Sequence, residues 1–316
     1  MKVIDLINNS KKTAFSFEIL PPLKGNNIQR VYNVIDKLLE FDPKYINITS
    51  HHSEYIYKTL PDGKIQKVNI RKRPGSVAIA SAIQNKYKIT AVPHIVCKGF
   101  TKDETEYALI DLNFLGVYDL LLLRGDIKKL ESVADSNSYH NYATDLQNQV
   151  NNFNKGIAID GSLFEANETP FSYGMACYPE KHEEAPNMES DIFYAKEKVK
   201  NGASYLVTQM FFDNQKYYDF VNRVRAEGVT VPIIPGIKPI VLKDQLTVLP
   251  RIFRSEIPEP LAAELRKCKT DDEAKAIGIE WGIQQCKDLI AHGVPSLHFY
   301  TMMATDSVKE IALQVY

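Results

Sequence analysis

Eight short apolar runs, each followed by a longer helical or polar stretch, constrain the fold of this chain more than any other feature. The runs are Ala14–Ile19, Tyr45–Ser50, Ile89–Val96, Val117–Arg124, Ser172–Cys177, Ser204–Gln209, Pro232–Gly236 and Ser296–Tyr300. Most are apolar throughout rather than alternating, as strands covered on both faces of a parallel sheet must be. Helical periodicity marks Asn27–Glu40, Lys102–Leu115, Glu189–Asn201, Asn214–Glu227 and Asp271–His292. Thr270 and Glu273 have the spacing of a capping box, and Asn201-Gly202 and His292-Gly293 read as helix stops. Repeated strand–helix units predict an α/β fold, a (β/α)8 TIM barrel, rather than an open sheet. The prediction is one catalytic domain over residues 1–316, with surface loop excursions at 128–140 and 151–170.

Composition narrows the partners. The net charge is −1, which leaves no basic surplus to hold a phosphate backbone, so no nucleic acid partner is expected. No apolar run reaches the roughly 18 residues that span a bilayer, and no apolar signal core follows Met1, so no membrane partner is expected. Cys97, Cys177, Cys268 and Cys286 are scattered without a CxxC pair, which predicts neither a metal site nor a disulfide framework and suits a reducing cytoplasm.

The chemistry of such barrels lies at the C-terminal ends of the strands. The first run ends at Phe17-Glu18-Ile19-Leu20, a carboxylate inside an apolar stretch. Desolvation raises the pKa of such a group and suits it to acid catalysis near neutrality; pairing with a barrel arginine would make it structural instead. The fourth run ends at Arg124-Gly125-Asp126, able to grip an anion and a polar ring edge but equally a solvated turn. His94 reads first as a satisfied core residue. Gln209 could meet the amide edge of a heterocycle, and Tyr178 could stack on a ring or cap the rim. No GxGxxG, GxxxxGK[ST], HExxH or GxSxG motif occurs. The residues alone describe a cofactor-sized site with one candidate acid and no evident nucleophile.

Taken together, the motifs resemble one family. Ser16-Phe17-Glu18-Ile19-Leu20-Pro21-Pro22, Pro93-His94, Leu123-Arg124-Gly125-Asp126, Tyr178-Pro179-Glu180-Lys181-His182, Thr208-Gln209-Met210-Phe211-Phe212, Pro235-Gly236-Ile237 and His298-Phe299-Tyr300-Thr301 look like methylenetetrahydrofolate reductase, in family order. The resemblance implies reduction of 5,10-methylenetetrahydrofolate to 5-methyltetrahydrofolate, feeding methionine synthesis. Hydride would pass in ping-pong fashion from NADH or NADPH through FAD. By motif, Thr49, His94, Arg124, Gly125, Asp126, Ala143, Tyr178, His182, Ala185, Asp191 and Lys198 would hold FAD. Gln209 and Gln245 would meet the folate, and Gln209 and Tyr217 the nicotinamide. Glu18 would be the general acid at the folate N10, and Asp126 a catalytic carboxylate near the flavin's pyrimidine edge. A homo-oligomer is implied as well.

The sequence departs from the family in places. Met302-Met303-Ala304 follows Thr301, where many members carry an arginine that reaches the folate's glutamate tail, and Lys238 or Lys243 offers another cation. Rival readings are a proline-dehydrogenase-like flavin barrel, for which no arginine pair is present near the last strand, a flavin-free pterin-binding methyl-transfer barrel, and a degenerate barrel kept as a scaffold.

Overall fold

The computed structural model describes residues 1–50, 54–97, 100–125, 138–302 and 304–316. Its strands are β1 (Ala14–Ile19), β2 (Tyr45–Ile48), β3 (Glu54–Thr59), β4 (Ile65–Ile70), β5 (Thr90–Val96), β6 (Asp119–Leu123), β7 (Ser172–Cys177), β8 (Tyr205–Thr208), β9 (Ile233–Ile234), β10 (Gly236–Ile237) and β11 (Ser296–Tyr300). The helices are α1 (Val3–Asn8), α2 (Gln29–Asp36), α3 (Ser76–Tyr87), α4 (Lys102–Phe114), α5 (Ala143–Asn154), α6 (Met188–Lys200), α7 (Asn214–Ala226), α8 (Gln245–Phe253), α9 (Glu259–Lys267), α10 (Asp271–Ala291) and α11 (Thr305–Val315).

The main sheet is parallel, in the order β10-β11-β1-β2-β5-β6-β7-β8-β9. Its two outer members, β9 and β10, are consecutive pieces of one stretch interrupted at Pro235, so the ladder returns on itself as an eight-stave TIM-type barrel. Proline has no N–H to give to a ladder, which is why this stave is split. Its neighbours bridge the break. Gly236 N donates to Thr208 Oγ1 at 2.9 Å, and the Pro235 carbonyl accepts from His298 N at 3.1 Å.

Two apolar layers follow from strand alternation. Outside the staves, Phe15, Phe17, Ile46, Leu120, Leu122, Ile237 and Phe299 pack beneath the helices. Inside, Tyr45, Val92, Leu121, Tyr205, Val207 and Ile234 meet Val3 and Ile7 of α1, which plugs the barrel floor. The plug is tied by Val3 N donating to Asp119 Oδ1 at 3.0 Å.

β1, β7 and β11 have the expected limits, and the other runs lose a residue or more at their ends or, in the seventh, are divided. The capping box at Thr270 and Glu273 is present, and Gly202 and Gly293 take positive φ as helix stops. α5 extends to Asn154, so the first part of 151–170 is helical; an isolated bridge between Ile157 and Leu163 orders part of the rest. Of 128–140, residues 128–137 lie outside the described residues. The antiparallel hairpin of β3 and β4 has no counterpart in the sequence reading. Its strands interleave Lys58, Gln66 and Lys67 with the exposed apolar residues Tyr57 and Ile65, so no buried-face alternation marks them.

Gly236 sits where the split stave is pressed between β8 and β11. A Cβ there would fall 2.5 Å from the Thr208 carbonyl oxygen and from the Tyr300 ring. Gly236→Ala should therefore cost about 1–3 kcal/mol in urea unfolding, the scale of overpacking. An unchanged midpoint would mean that β8, β10 and β11 are not pressed together here.

Candidate active site

Glu18 reaches the barrel mouth because β1 pairs on both sides with its side chain facing inward. Its register partners are Tyr300 of β11 and Asn47 of β2. Glu18 Oε1 accepts from Thr49 Oγ1 at 2.7 Å, Oε2 lies 3.5 Å from His94 Nε2, and the Glu18 carbonyl accepts from Thr301 Oγ1 at 2.6 Å. Among the described residues no arginine or lysine pairs with it. Burial raises its pKa to about 7, with the Thr49 hydrogen bond pulling the other way. Glu18 is thus a carboxyl group poised between its two forms near neutrality.

A second group lies across β6 and β7. A cavity of about 570 Å³ is lined by Arg124, Tyr142, Tyr178, His182, Asp191 and Lys198, with Ala143 and Ala185 as small walls. Arg124 pairs with Glu184, which holds its guanidinium above its ordinary pKa, and it lies 5.3 Å over the Tyr142 ring. Its Nε is buried and has no hydrogen-bond partner among the described residues. Gly125 follows with φ 81°, a turn that a side chain would strain. Lys198 Nζ donates to the Ala176 carbonyl at 2.8 Å, and burial depresses its pKa. His182 is edge-on to Tyr178 at 4.7 Å, and burial lowers its pKa too. Asp191 Oδ2 accepts from His182 N at 2.5 Å, so the carboxylate holds the loop that presents the imidazole.

Gln209 extends the ladder, its N donating to the Cys177 carbonyl at 2.8 Å, and its Oε1 accepts from Met210 N at 2.9 Å. Gln245 Oε1 accepts from Val241 N at 2.7 Å and Leu242 N at 3.1 Å, stapling the loop that leaves β10. Thr49 and His94 join Glu18 rather than the cavity. Tyr217 is not brought to the mouth: it is buried beneath the sheet, its hydroxyl donates to the Ile233 carbonyl at 2.8 Å, and its ring stacks on Phe211 at 5.4 Å. A tyrosine on a core-facing helix position is a packing residue here. Asp126 lies outside the described residues, and its assigned role rests on the motif alone.

Sequence reasoning missed Glu184 and Tyr142. Glu184 belongs to the acidic doublet after His182, and Tyr142 immediately precedes Ala143; neither type announces an arginine partner without the fold. His298 serves the barrel interior. It lies 2.9 Å from Ser16 Oγ, stacks on Tyr45 at 6.0 Å, and is held neutral by burial, which pushes its pKa down to about 3.

The fold and these groups define an α/β-barrel protein with a desolvated carboxyl group at the mouth and a cation- and aromatic-lined pocket at the C-terminal ends of β6 and β7. The family model described as methylenetetrahydrofolate reductase matches residues 2–315, and the chain belongs to that family. It is 29% identical over 338 residues to methylenetetrahydrofolate reductase (NADH) 1 of Arabidopsis thaliana, a match covering 100% of this chain and 51% of the relative. A probable methylenetetrahydrofolate reductase (NADPH) of Caenorhabditis elegans is 28% identical, with 98% and 43% covered. The chain thus spans about half the length of these relatives. The 5,10-methylenetetrahydrofolate reductase of Escherichia coli is 29% identical over 288 residues, 91% of this chain and 85% of the relative. Among solved structures, an uncharacterized Clostridium thermocellum protein described as binding two copies of 5-methyl-5,6,7,8-tetrahydrofolic acid shares the fold, with a TM-score of 0.59, 15% identity, and 98% and 97% coverage. Among the described residues no helix is long and apolar enough to cross a membrane, and no cluster of metal-ligating side chains occurs.

A raised carboxyl pKa makes stability depend on pH. Unfolded Glu18 loses its proton near 4.5 and the folded group near 7, so stability falls as pH rises through that window and stays lower above it. The cost is on the order of 3 kcal/mol. Glu18→Gln should unfold at higher denaturant than wild type at pH 8, with the gap closing below pH 4.5. A variant less stable than wild type at pH 8 would mean that the carboxylate is a structural ion-pair partner after all.

Proposed function

We propose that this chain reduces 5,10-methylenetetrahydrofolate to 5-methyltetrahydrofolate, using NADH or NADPH as hydride donor and FAD as resident cofactor. The observation that carries the reading is Glu18, desolvated at the mouth and held by Thr49 and His94, on the same barrel rim as the strand ends that line the cation-lined pocket.

The pocket fits a dinucleotide flavin. A diphosphate needs cations and donors, and Arg124, Lys198 and His182 supply them within one cavity. The orphaned Arg124 Nε is a donor that an anionic oxygen would satisfy. Glu184 holds the guanidinium ready meanwhile. Tyr178 offers an aromatic face, and Ala143 and Ala185 leave room for backbone to approach a ligand. When bound, FAD supplies the two-electron relay between nicotinamide and folate.

The remaining chemistry belongs to the chain. Glu18 hands a proton to N10 of the folate, which opens the five-membered ring and leaves an electrophilic N5-iminium carbon ready for hydride. A pKa of about 7 places this acid where donation and reloading are both accessible at neutral pH. Gln209, at the end of β8, offers its amide to the edge of a flat heterocycle. Nicotinamide and pterin are both flat, so one slot serves each in turn, which is the basis of ping-pong order.

The test separates the half-reactions. In stopped-flow measurements on the holoenzyme, Glu18→Gln should leave reduction by NADH or NADPH nearly intact, because that step needs no proton from this residue. The folate half-reaction should slow by roughly 10²-fold or more, the scale of losing a general acid. Equal losses in both halves, or a folate half-reaction at wild-type speed, would remove Glu18 as the proton donor.

A further inference from the structure

The inner wall of the barrel carries a polar patch on the floor side of Glu18. Register and alternation lay it out in rows. Glu18 is level with Asn47 of β2 and Tyr300 of β11; one inward step towards the floor, Ser16 is level with Tyr45 and His298. From across the barrel, the Tyr205 ring of β8 comes within 6.4 Å of Tyr45. Around them the interior is apolar, with Val92, Leu121, Val207 and Ile234 on the wall and Val3 and Ile7 of α1 at the floor. Asn47, Tyr205 and His298 are all 0% exposed. Among the described residues, both amide atoms of Asn47, Nε2 of His298 and the hydroxyl of Tyr205 are buried and have no hydrogen-bond partner.

A buried amide without partners is destabilising, and an apolar side chain would fill the same place without that cost, as Val92 does alongside Asn47. The hydrogen bonds that are made define what the rest require. Ser16 Oγ donates to the Leu297 carbonyl at 3.1 Å, so its lone pair takes the Nδ1 hydrogen of His298 at 2.9 Å, and Nε2 is left as an acceptor. Burial keeps this imidazole neutral. Tyr205 offers a donor, and Asn47 offers donors and an acceptor. An occupant that satisfies this uncharged set is small, neutral and able both to give and to take hydrogen bonds. Water fits, since a buried water makes about three such bonds. Among the described residues no group of side chains suits a metal ion. Glu18 borders the patch: its Oε1 accepts from Thr49, while Oε2 lies 3.5 Å from His94 Nε2 and can accept a further donor. His94 of β5 and Tyr300 of β11 are the titratable groups facing it among the described residues.

We propose that ordered water, held by Asn47, His298 Nε2 and Tyr205, occupies the barrel interior beneath Glu18 and donates a hydrogen bond to the Glu18 carboxylate. Asn47 is then a positioning residue that acts on the acid through water. The water stabilises the charged form that remains once Glu18 has given up a proton, and so limits how far burial raises its proton affinity. The site stands on the barrel interior alone; its use in proton donation rests on the folate reading above.

Two measurements on the purified protein test this: a high-resolution crystal structure of wild type, and infrared titration of Glu18, its carboxyl band identified by subtracting Glu18→Gln. The crystal structure should show ordered water within hydrogen-bonding distance of Asn47 and His298 Nε2 and reaching Glu18 Oε2. Asn47→Leu keeps the branching and removes the polar atoms, so the Glu18 midpoint should rise by about one pH unit or more, a 10-fold gain in proton affinity. Asn47→Ser keeps a donor and an acceptor and leaves room for water, so its midpoint should stay close to that of wild type. A dry interior beside Asn47 and His298, or equal midpoints in wild type and Asn47→Leu, overturns the proposal. A midpoint raised equally in both variants means that the Asn47 amide touches Glu18 directly, and overturns it too. Should neither variant fold, the wild-type crystal structure decides alone. No folate or nicotinamide enters these measurements, so a failure of the folate reading, seen as a holoenzyme that never reduces the folate, is recognised separately.

Discussion

Closure of the parallel ladder across Pro235 is the constraint on which the rest depends. Because β9 pairs only with β8 and β10 only with β11, the two halves of one stave join the ends of the sheet. All main-sheet pairings are parallel, so every stave delivers its C-terminal end to the same rim. Residues far apart in the chain meet there for that reason alone. Glu18 leaves β1, Thr49 follows β2, His94 belongs to β5, Arg124 follows β6, Tyr178 follows β7 and Gln209 follows β8. Gly236 allows the last approach, since any side chain would strike Thr208 or Tyr300.

Desolvation links the functional groups and gives each a different task. Glu18 and Lys198 are both taken largely out of water, and each has its charged form disfavoured. The Glu18 carboxyl is thereby kept protonated to higher pH, as the proposed proton donation requires. Lys198 becomes a cation held by the backbone carbonyl of Ala176. Arg124 is treated differently, with Glu184 sustaining its charge. Such groups lower stability, and the apolar layers inside and outside the staves offset them.

The staves were legible because strands buried on both faces must be apolar throughout, a pattern that survives without an alignment. Glu18 was legible for the same reason, as a carboxylate interrupting such a run. The pocket residues Arg124, Tyr178, His182, Asp191 and Lys198 came from motif resemblance, and the fold brings them to one cavity. Tyr217 misled because a motif position says nothing about which way a helix turns its side chain; packing against Phe211 decided that. The β3–β4 hairpin escaped notice because it projects polar and apolar residues alike into solvent. Glu184 could not be read because its partner is 60 residues away.

The proposed function requires one slot on this barrel to pass hydride from a nicotinamide to a folate through a resident flavin. The purified protein should show flavin absorbance. Anaerobic NADH or NADPH should bleach it, and methylenetetrahydrofolate alone should then restore it with formation of 5-methyltetrahydrofolate. A protein that binds no flavin, or whose bleached flavin the folate leaves unchanged while other oxidants restore it, would contradict the account.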